Sequence, residues 1–211
     1  MVTNPRFIAV SSACGGVGTS SLAVALGRVL TRLYERKVLY VSFDFLADKS
    51  MMQGGAGRRD FLEYYQKTIQ PNGSQSIDFI KDIVTDFYGL DYFKCDEGIN
   101  PLNFNIDNLP EFIMSLNMNY DALILDVPCS NITGLKLFPV CEDIVVNYGI
   151  SRPHQKKYCD NFTDFLGRVS PQSVLHRFSC GFDEFSFRDG DVDIHGEFGA
   201  EVRKLAEEIG I

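Results

Sequence analysis

A glycine-rich segment that joins a short apolar run to a long amphipathic pattern constrains the fold more than any other part of the sequence. Residues 7–10 read Phe-Ile-Ala-Val, an uncharged run typical of a central parallel strand buried on both faces. Residues 15–18 contain three glycines, and from Ser20 apolar side chains recur at helical spacing to about Glu35. This order predicts a strand, a tight loop and a helix in succession.

The loop between these two elements has the composition of a phosphate-binding site. Glycines let consecutive backbone N–H groups curl around an anion, and the following helix adds unsatisfied amides and the positive end of its dipole. A tight turn needs fewer glycines, so we favour phosphate binding over a purely structural turn. A dinucleotide-binding loop is the alternative, but Ser21 stands where that motif has its third glycine. The candidate binding residues are Cys14, Gly15, Gly16, Val17, Gly18, Thr19, Ser20 and Ser21.

The rest of the chain alternates strand and helix patterns, which predicts an α/β fold. The expected architecture has three layers, with a mostly parallel twisted sheet between helices and ligands at the carboxyl ends of the strands. We expect one domain over residues 1–211. Strands are predicted at 37–43, 120–127, from 143 to 146, and at 173–178, and helices at 109–116, from 151–153, and at 197–209, with weaker helical patterns at 60–69 and 77–87.

Three oxygen-bearing side chains are candidate Mg²⁺ ligands. Ser20 has the position of the hydroxyl that coordinates Mg²⁺ in phosphate-binding loops. Asp126 ends the apolar strand Ala-Leu-Ile-Leu and precedes Val-Pro, which leaves its carboxylate at the ligand edge of the sheet, where it would hold Mg²⁺ indirectly through water. Asp44, which closes the strand at 37–43, would point into the same crevice and position a water or the metal. For both aspartates the competing interpretation is a solvated or turn-capping carboxylate.

Composition restricts the classes of function. The net charge is −8 and the pI is near 4.9, so the overall field repels phosphate backbones and we predict protein partners rather than nucleic acid. The six cysteines are dispersed, which predicts reduced thiols in a cytoplasmic protein and no zinc site. No apolar run reaches the roughly 18 residues that a membrane-spanning helix needs, so no integral membrane segment is expected.

Residues 7–21, 37–44 and 120–128 together resemble the ParA/MinD-type ATPases, which carry a deviant Walker A motif. Within that group the loop Cys-Gly-Gly-Val-Gly-Thr-Ser is most similar to the TadZ-like localisation proteins of tight-adherence pilus systems. The resemblance implies a P-loop NTPase fold that binds ATP or ADP with Mg²⁺. TadZ-like proteins also carry an N-terminal receiver-like domain, which we do not expect in this chain.

The resemblance also implies partners and a base-binding pair. Members of this group form nucleotide-dependent homodimers, and the TadZ-like ones imply protein partners in a pilus or secretion apparatus and recruitment from the cytoplasm to a cell pole or membrane complex. An Asn-Lys or Asn-Arg pair after a late strand contacts adenine in the family. The corresponding residues here are His176 and Arg177.

The sequence departs from the family at the residues that carry catalysis. Cys14 replaces the signature lysine of the deviant loop, and Thr19 replaces the lysine that reaches the β- and γ-phosphates. Ser42 replaces the first acid of the Asp-x-Asp pair that the family often has. Because such charges stabilise the transition state, their loss implies a slow ATPase at most, or none, with ATP binding retained on backbone amides.

Three alternatives remain open at the level of sequence. The first is an active ParA/MinD-like ATPase in chromosome or plasmid partitioning or division-site placement. The second is a bacterial tyrosine kinase, whose C-terminal tyrosine cluster has no counterpart after Tyr158. The third is a degenerate domain that binds no nucleotide.

Overall fold

The computed structural model describes residues 5–43, 84–85, 89–93, 109–115, 120–128, 133–149, 153–180, 187–188 and 191–211. The strands in these ranges are β1 Arg6–Ser11, β2 Val38–Ser42, β3 Val84–Thr85, β4 Asp91–Phe93, β5 Ala122–Asp126, β6 Asp143–Asn147, β7 Val174–Phe178, β8 Phe187–Arg188 and β9 Asp191–Val192. The helices are α1 Thr19–Leu33, α2 Leu109–Ser115, α3 Thr133–Leu137 with a following 3₁₀ turn Phe138–Val140, α4 Pro153–Val169 and α5 Glu197–Ile209.

A seven-stranded sheet in the order β3-β4-β2-β5-β1-β6-β7 forms the centre of the described structure. All neighbouring strands run parallel except β3, which is antiparallel to β4. β1 lies between β5 and β6 in the interior of the sheet, and its carboxyl end is in register with theirs through the pairs Val10 with Asp126 and Ser11 with Val146. The separate pair β8–β9 is antiparallel.

Helices cover both faces of this sheet. Alternate strand residues such as Ile8 and Ile124 pack with α1 and α5, while Ala9 and Leu125 pack with α2, α3 and α4. The residues of β2, β5 and β6 are buried, as expected for strands covered on both sides. The prediction of a three-layer, mostly parallel α/β fold is therefore confirmed.

The strand and helix predictions agree with the structure in most of the described ranges. The helical pattern at 77–87 is wrong where the structure describes it, because Val84 and Thr85 form β3 and pair with Tyr92 and Asp91. Both residues are β-branched, and β-branched residues favour strands over helices. The pattern at 60–69 lies outside the described residues. No described helix is long and apolar enough to span a bilayer.

A buried ionic network ties the amino end of β6 to its neighbours. Asp143 is fully buried, and its carboxylate accepts hydrogen bonds from Arg6 Nε at 2.5 Å and from Arg6 Nη2 at 3.2 Å. His176 Nε2 hydrogen-bonds the same carboxylate at 2.8 Å. Burial alone would raise the pKa of Asp143, but the hydrogen bonds from His176 and Arg6 and the charge of Arg6 hold the pKa below its usual value.

We expect Asp143→Asn to lower the free energy of unfolding by roughly 2 kcal/mol near neutral pH, less than for a fully buried pair because a third of Arg6 is exposed. Since the folded-state pKa of Asp143 is lowered, its contribution is complete above the usual aspartate pKa and is lost as the pH falls through the folded value. Urea unfolding at several pH values should show the difference between wild type and variant shrinking below about pH 4. Asp164→Asn, on the exposed face of α4, is the control. If both variants lowered the stability equally, the buried Asp143 carboxylate would not be a stabilising group.

Candidate phosphate-binding site

The loop between β1 and α1 is held at its start by two serines. Ser11 Oγ donates to the Val127 carbonyl at 2.6 Å, which ties the end of β1 to the residue after β5. Ser12 Oγ donates to the Cys14 carbonyl at 2.6 Å and accepts the Cys14 N–H at 3.0 Å. These bonds turn the chain away from the strand direction as soon as β1 ends.

Two glycines then give the loop a shape that other residues adopt only with strain. Gly16 has φ +72° and Gly18 has φ +80°, both in the left-handed region. An ideal Cβ built on Gly15 or Gly16 meets no heavy atom within 4 Å, so the loop is open where a bound group would approach its backbone. The backbone of the predicted glycine-rich loop is therefore uncovered at these two residues.

Helix α1 begins directly after this loop, one residue earlier than predicted. Its N-cap residue is Gly18, no side chain caps it, and its first turn contains no acidic residue. Thr19 and Ser20 are half-buried and Ser21 is buried. An N-terminus with this composition presents backbone amides and the positive end of the helix dipole to an anion.

Asp126 lies where its carboxylate can serve a ligand at this loop. It is the last residue of β5, is in register with Val10 of β1 and Ser42 of β2, and is 2% exposed. It lies on the same face of β5 as Ala122 and Ile124, which pack on the α1 side of the sheet. A carboxylate and a serine hydroxyl are oxygen donors of the kind that Mg²⁺ takes in nucleotide sites, where phosphates and water complete its coordination. Asp126 and Ser20 fit that donor set.

Tyr40 supports Asp126 in a way that the sequence analysis missed. Its hydroxyl donates to Asp126 Oδ2 at 2.8 Å, and Ser42 Oγ donates to the same oxygen at 3.4 Å. Both side chains come from β2 and lie two residues apart, on the face that Asp126 shares. The sequence shows only that Tyr40 precedes Ser42 by two residues; the contact with Asp126 becomes visible once β2 and β5 are paired.

Asn147 is a second residue that the sequence analysis did not identify. It ends β6, is 2% exposed, and its Nδ2 donates to the Val17 carbonyl at 3.0 Å. Its Oδ1 accepts the Gly149 N–H at 3.0 Å. The loop is thus attached to β6 as well as to β5.

Cys14 lies beside α4. Ala13 packs against the hydrophobic cluster on that side of the sheet, and Cys159 of α4 is a member of this cluster. Burial raises the pKa of the Cys159 thiol, and the neighbouring Cys14 thiol raises it further. Cys14 is half-buried, and its side chain stands at the position where the resemblance places a lysine.

The structure separates the two residues of the predicted base-binding pair. His176 lies within β7, is 8% exposed, and bonds to Asp143 at the amino end of β6. Arg177 is exposed, with its guanidinium carbon 5.9 Å from the ring centroid of Tyr148, the residue after β6. Arg177 is therefore the member of the pair nearer the carboxyl ends of the strands. Asp44 lies outside the described residues.

Comparisons with known proteins give fold-level matches. No protein-family model matches the sequence, and no curated protein matches it significantly. The chain is similar in structure to a ParA family ATPase from Chlorobium tepidum TLS, with a TM-score of 0.72, 15% sequence identity, and coverage of 98% of this chain and 99% of that one.

Two further solved structures show the same likeness. The MinC:MinD cell division protein complex of Aquifex aeolicus matches with a TM-score of 0.65 and 16% identity, over 96% of this chain and 78% of that chain. Cobyrinic acid a,c-diamide synthase of Mycobacterium smegmatis, with bound ATP analog and magnesium, matches with a TM-score of 0.66 and 14% identity, over 97% and 94%. The sheet order, the glycine loop and these matches together establish that the chain has the fold of the ParA/MinD-type P-loop NTPases.

Proposed function

We propose that this protein binds ATP or ADP with Mg²⁺ in the loop from Cys14 to Ser21, hydrolyses ATP slowly or not at all, and acts as a nucleotide-dependent scaffold. The observation that carries the proposal is the loop itself. Gly16 and Gly18 adopt positive φ between the interior strand β1 and an uncapped helix, beside Asp126 at the carboxyl edge of the sheet. The neighbour crystallised with an ATP analog and magnesium supports the choice of ligand.

The chain's own groups account for binding without a lysine. Loop and helix amides donate to phosphate oxygens, and hydrogen bonds to charged acceptors are each worth about 1.5–3 kcal/mol. Mg²⁺, when bound, neutralises phosphate charge. Ser20 and Asp126 hold that ion, and Tyr40 and Ser42 fix the Asp126 carboxylate by hydrogen bonds. Arg177 flanks the base in this proposal, whereas His176 hydrogen-bonds the buried Asp143 carboxylate.

Slow hydrolysis follows from the neutral side chains at two positions. Cys14 and Thr19 put no positive charge where phosphoryl oxygens become more negative in the transition state. Loss of one such donor typically costs about 100-fold or more in rate. Asp44 would position a water or the metal in this proposal.

A scaffold that responds to ATP needs a second copy and other partners. We propose that bound ATP closes a homodimer and that the dimer recruits proteins of a pilus or secretion apparatus, as a TadZ-like localisation factor at a cell pole or membrane complex. A net charge of −8 favours protein partners over nucleic acid. The complex of MinD with MinC supports a protein-binding role for this fold.

ATP with Mg²⁺ is expected to shift the wild-type protein from monomer to dimer in sedimentation velocity, whereas ADP with Mg²⁺ is not. Asp126→Asn should weaken the shift towards dimer, because the variant loses the negative charge that favours the bound metal. Asp164→Asn, an exposed change on α4, is the control and should behave as wild type. A protein that saturates with ATP and stays monomeric would refute the scaffold model.

The alternative is an active ParA/MinD-like ATPase in partitioning or division-site placement. The match to a ParA family ATPase over nearly the full length of both chains favours it. Rapid ATP turnover by the wild-type protein would select this alternative.

A further inference from the structure

Asn147 is fixed in orientation by two backbone groups. The Gly149 N–H donates to its Oδ1 at 3.0 Å, so the oxygen of the side-chain amide faces Gly149. The nitrogen therefore faces the Val17 carbonyl, to which it donates at 3.0 Å. With 2% of its surface exposed, Asn147 makes both bonds out of contact with bulk water.

The turn after β6 closes on the same loop residue. Gly149 has φ +59°, and an ideal Cβ on it would lie 3.0 Å from Val17 Cβ and 3.5 Å from the Val17 carbonyl oxygen. A side chain at position 149 would push Val17 away. Val17 is thus held by a hydrogen bond from Asn147, 130 residues further along the chain, and the turn at Gly149 leaves no space for a Cβ beside it.

Holding this carbonyl also sets the direction of the next amide. The described residues contain no cis peptide bond, so the Gly18 N–H points opposite to the Val17 C=O. Gly18 is the N-cap residue of α1, where backbone amides are available to an anion. Rotation of this peptide would remove one donor from the phosphate side of the loop.

We propose that Asn147 is a positioning residue for phosphate binding, because it holds the Val17 carbonyl and thereby aligns the Gly18 N–H with the bound phosphates. This inference rests on the proposed nucleotide-binding function. Cys14 and Thr19 supply no ammonium group, so the loop amides carry a larger share of the binding and their placement matters more. Asn147 itself contacts the loop backbone and not the nucleotide.

Asn147→Asp tests this role with little change of shape. The variant keeps an acceptor for the Gly149 N–H but places an oxygen against the Val17 carbonyl. We expect the dissociation constant for ATP with Mg²⁺, measured by calorimetry, to rise about 10-fold or more. In protein labelled with ¹⁵N-glycine, ATP with Mg²⁺ should shift the Gly18 amide resonance in the wild type and shift it less in the variant.

Asn161→Asp makes the same chemical change on the exposed face of α4 and should bind ATP like the wild type. Circular dichroism must show each variant folded at the assay temperature. Equal affinities of Asn147→Asp and wild type would overturn the inference, as would a loss explained entirely by unfolding. If the wild-type protein itself bound no ATP, the proposed function would be overturned. This outcome needs no variant, so it is distinct from a failure of the role of Asn147.

Discussion

Thr19→Lys is expected to raise the rate of ATP hydrolysis by about 100-fold, the typical effect of one transition-state donor. Thr19 is the first residue of α1, directly after the N-cap Gly18, and is half-exposed, so a longer side chain has room there. The new ammonium would lie where the resemblance places the lysine that reaches the β- and γ-phosphates. Phosphate release at saturating ATP and Mg²⁺ measures the effect.

Thr19→Met is the matched control for that variant, because methionine is also long and unbranched but carries no charge. We expect it to hydrolyse ATP no faster than the wild type. If lysine and methionine at position 19 gave the same turnover, the absence of charge there would not be what limits hydrolysis. The explanation for slow turnover would then have to be sought at Cys14 or Ser42.

Gly16→Val should weaken the binding of ATP by about 100-fold or more. The residue has φ +72°, and its Cβ would stand in the open space over the loop where phosphate is proposed to lie. Loss of two amide bonds to a charged group, at about 1.5–3 kcal/mol each, accounts for a change of this size. The dissociation constant from calorimetry, with Mg²⁺ present, is the quantity to compare.

Gly210→Val provides a control with the same backbone strain at a distant site. Gly210 also has φ +72°, and a Cβ there also meets no heavy atom within 4 Å, but it caps the C-terminus of α5. Both variants should lose about 1–2 kcal/mol of stability from the left-handed conformation. Only Gly16→Val should bind ATP more weakly than the wild type. Equal affinities of the two variants would contradict the assignment of the loop.

Elements that depend on residues close together in the chain could be predicted from the sequence. Residues 7–10 and 122–125 are continuous apolar runs, and burial on both faces is the usual reason for such runs. The glycine loop was predicted because Gly16 and Gly18 supply a backbone conformation that few other residues adopt. The weak pattern at 77–87 failed at Val84 and Thr85, where pairing with β4 decides the conformation.

The parts of the site that were missed depend on contacts between distant segments. Tyr40 reaches Asp126 across two neighbouring strands, and Asn147 reaches Val17 across 130 residues, so no local spacing reveals either pair. His176 was matched to the family by position in its strand. Its burial against Asp143 became visible only once β6 and β7 were paired.

Calorimetric titration of the wild-type protein with ATP and Mg²⁺, followed by phosphate release on the same sample, decides whether the loop binds ATP without fast hydrolysis. We expect saturable binding, with turnover at least about 100-fold below the 1 s⁻¹ that marks the slow end of typical enzymes. No binding heat at any ATP concentration, or turnover at ordinary enzymatic rates, would contradict it.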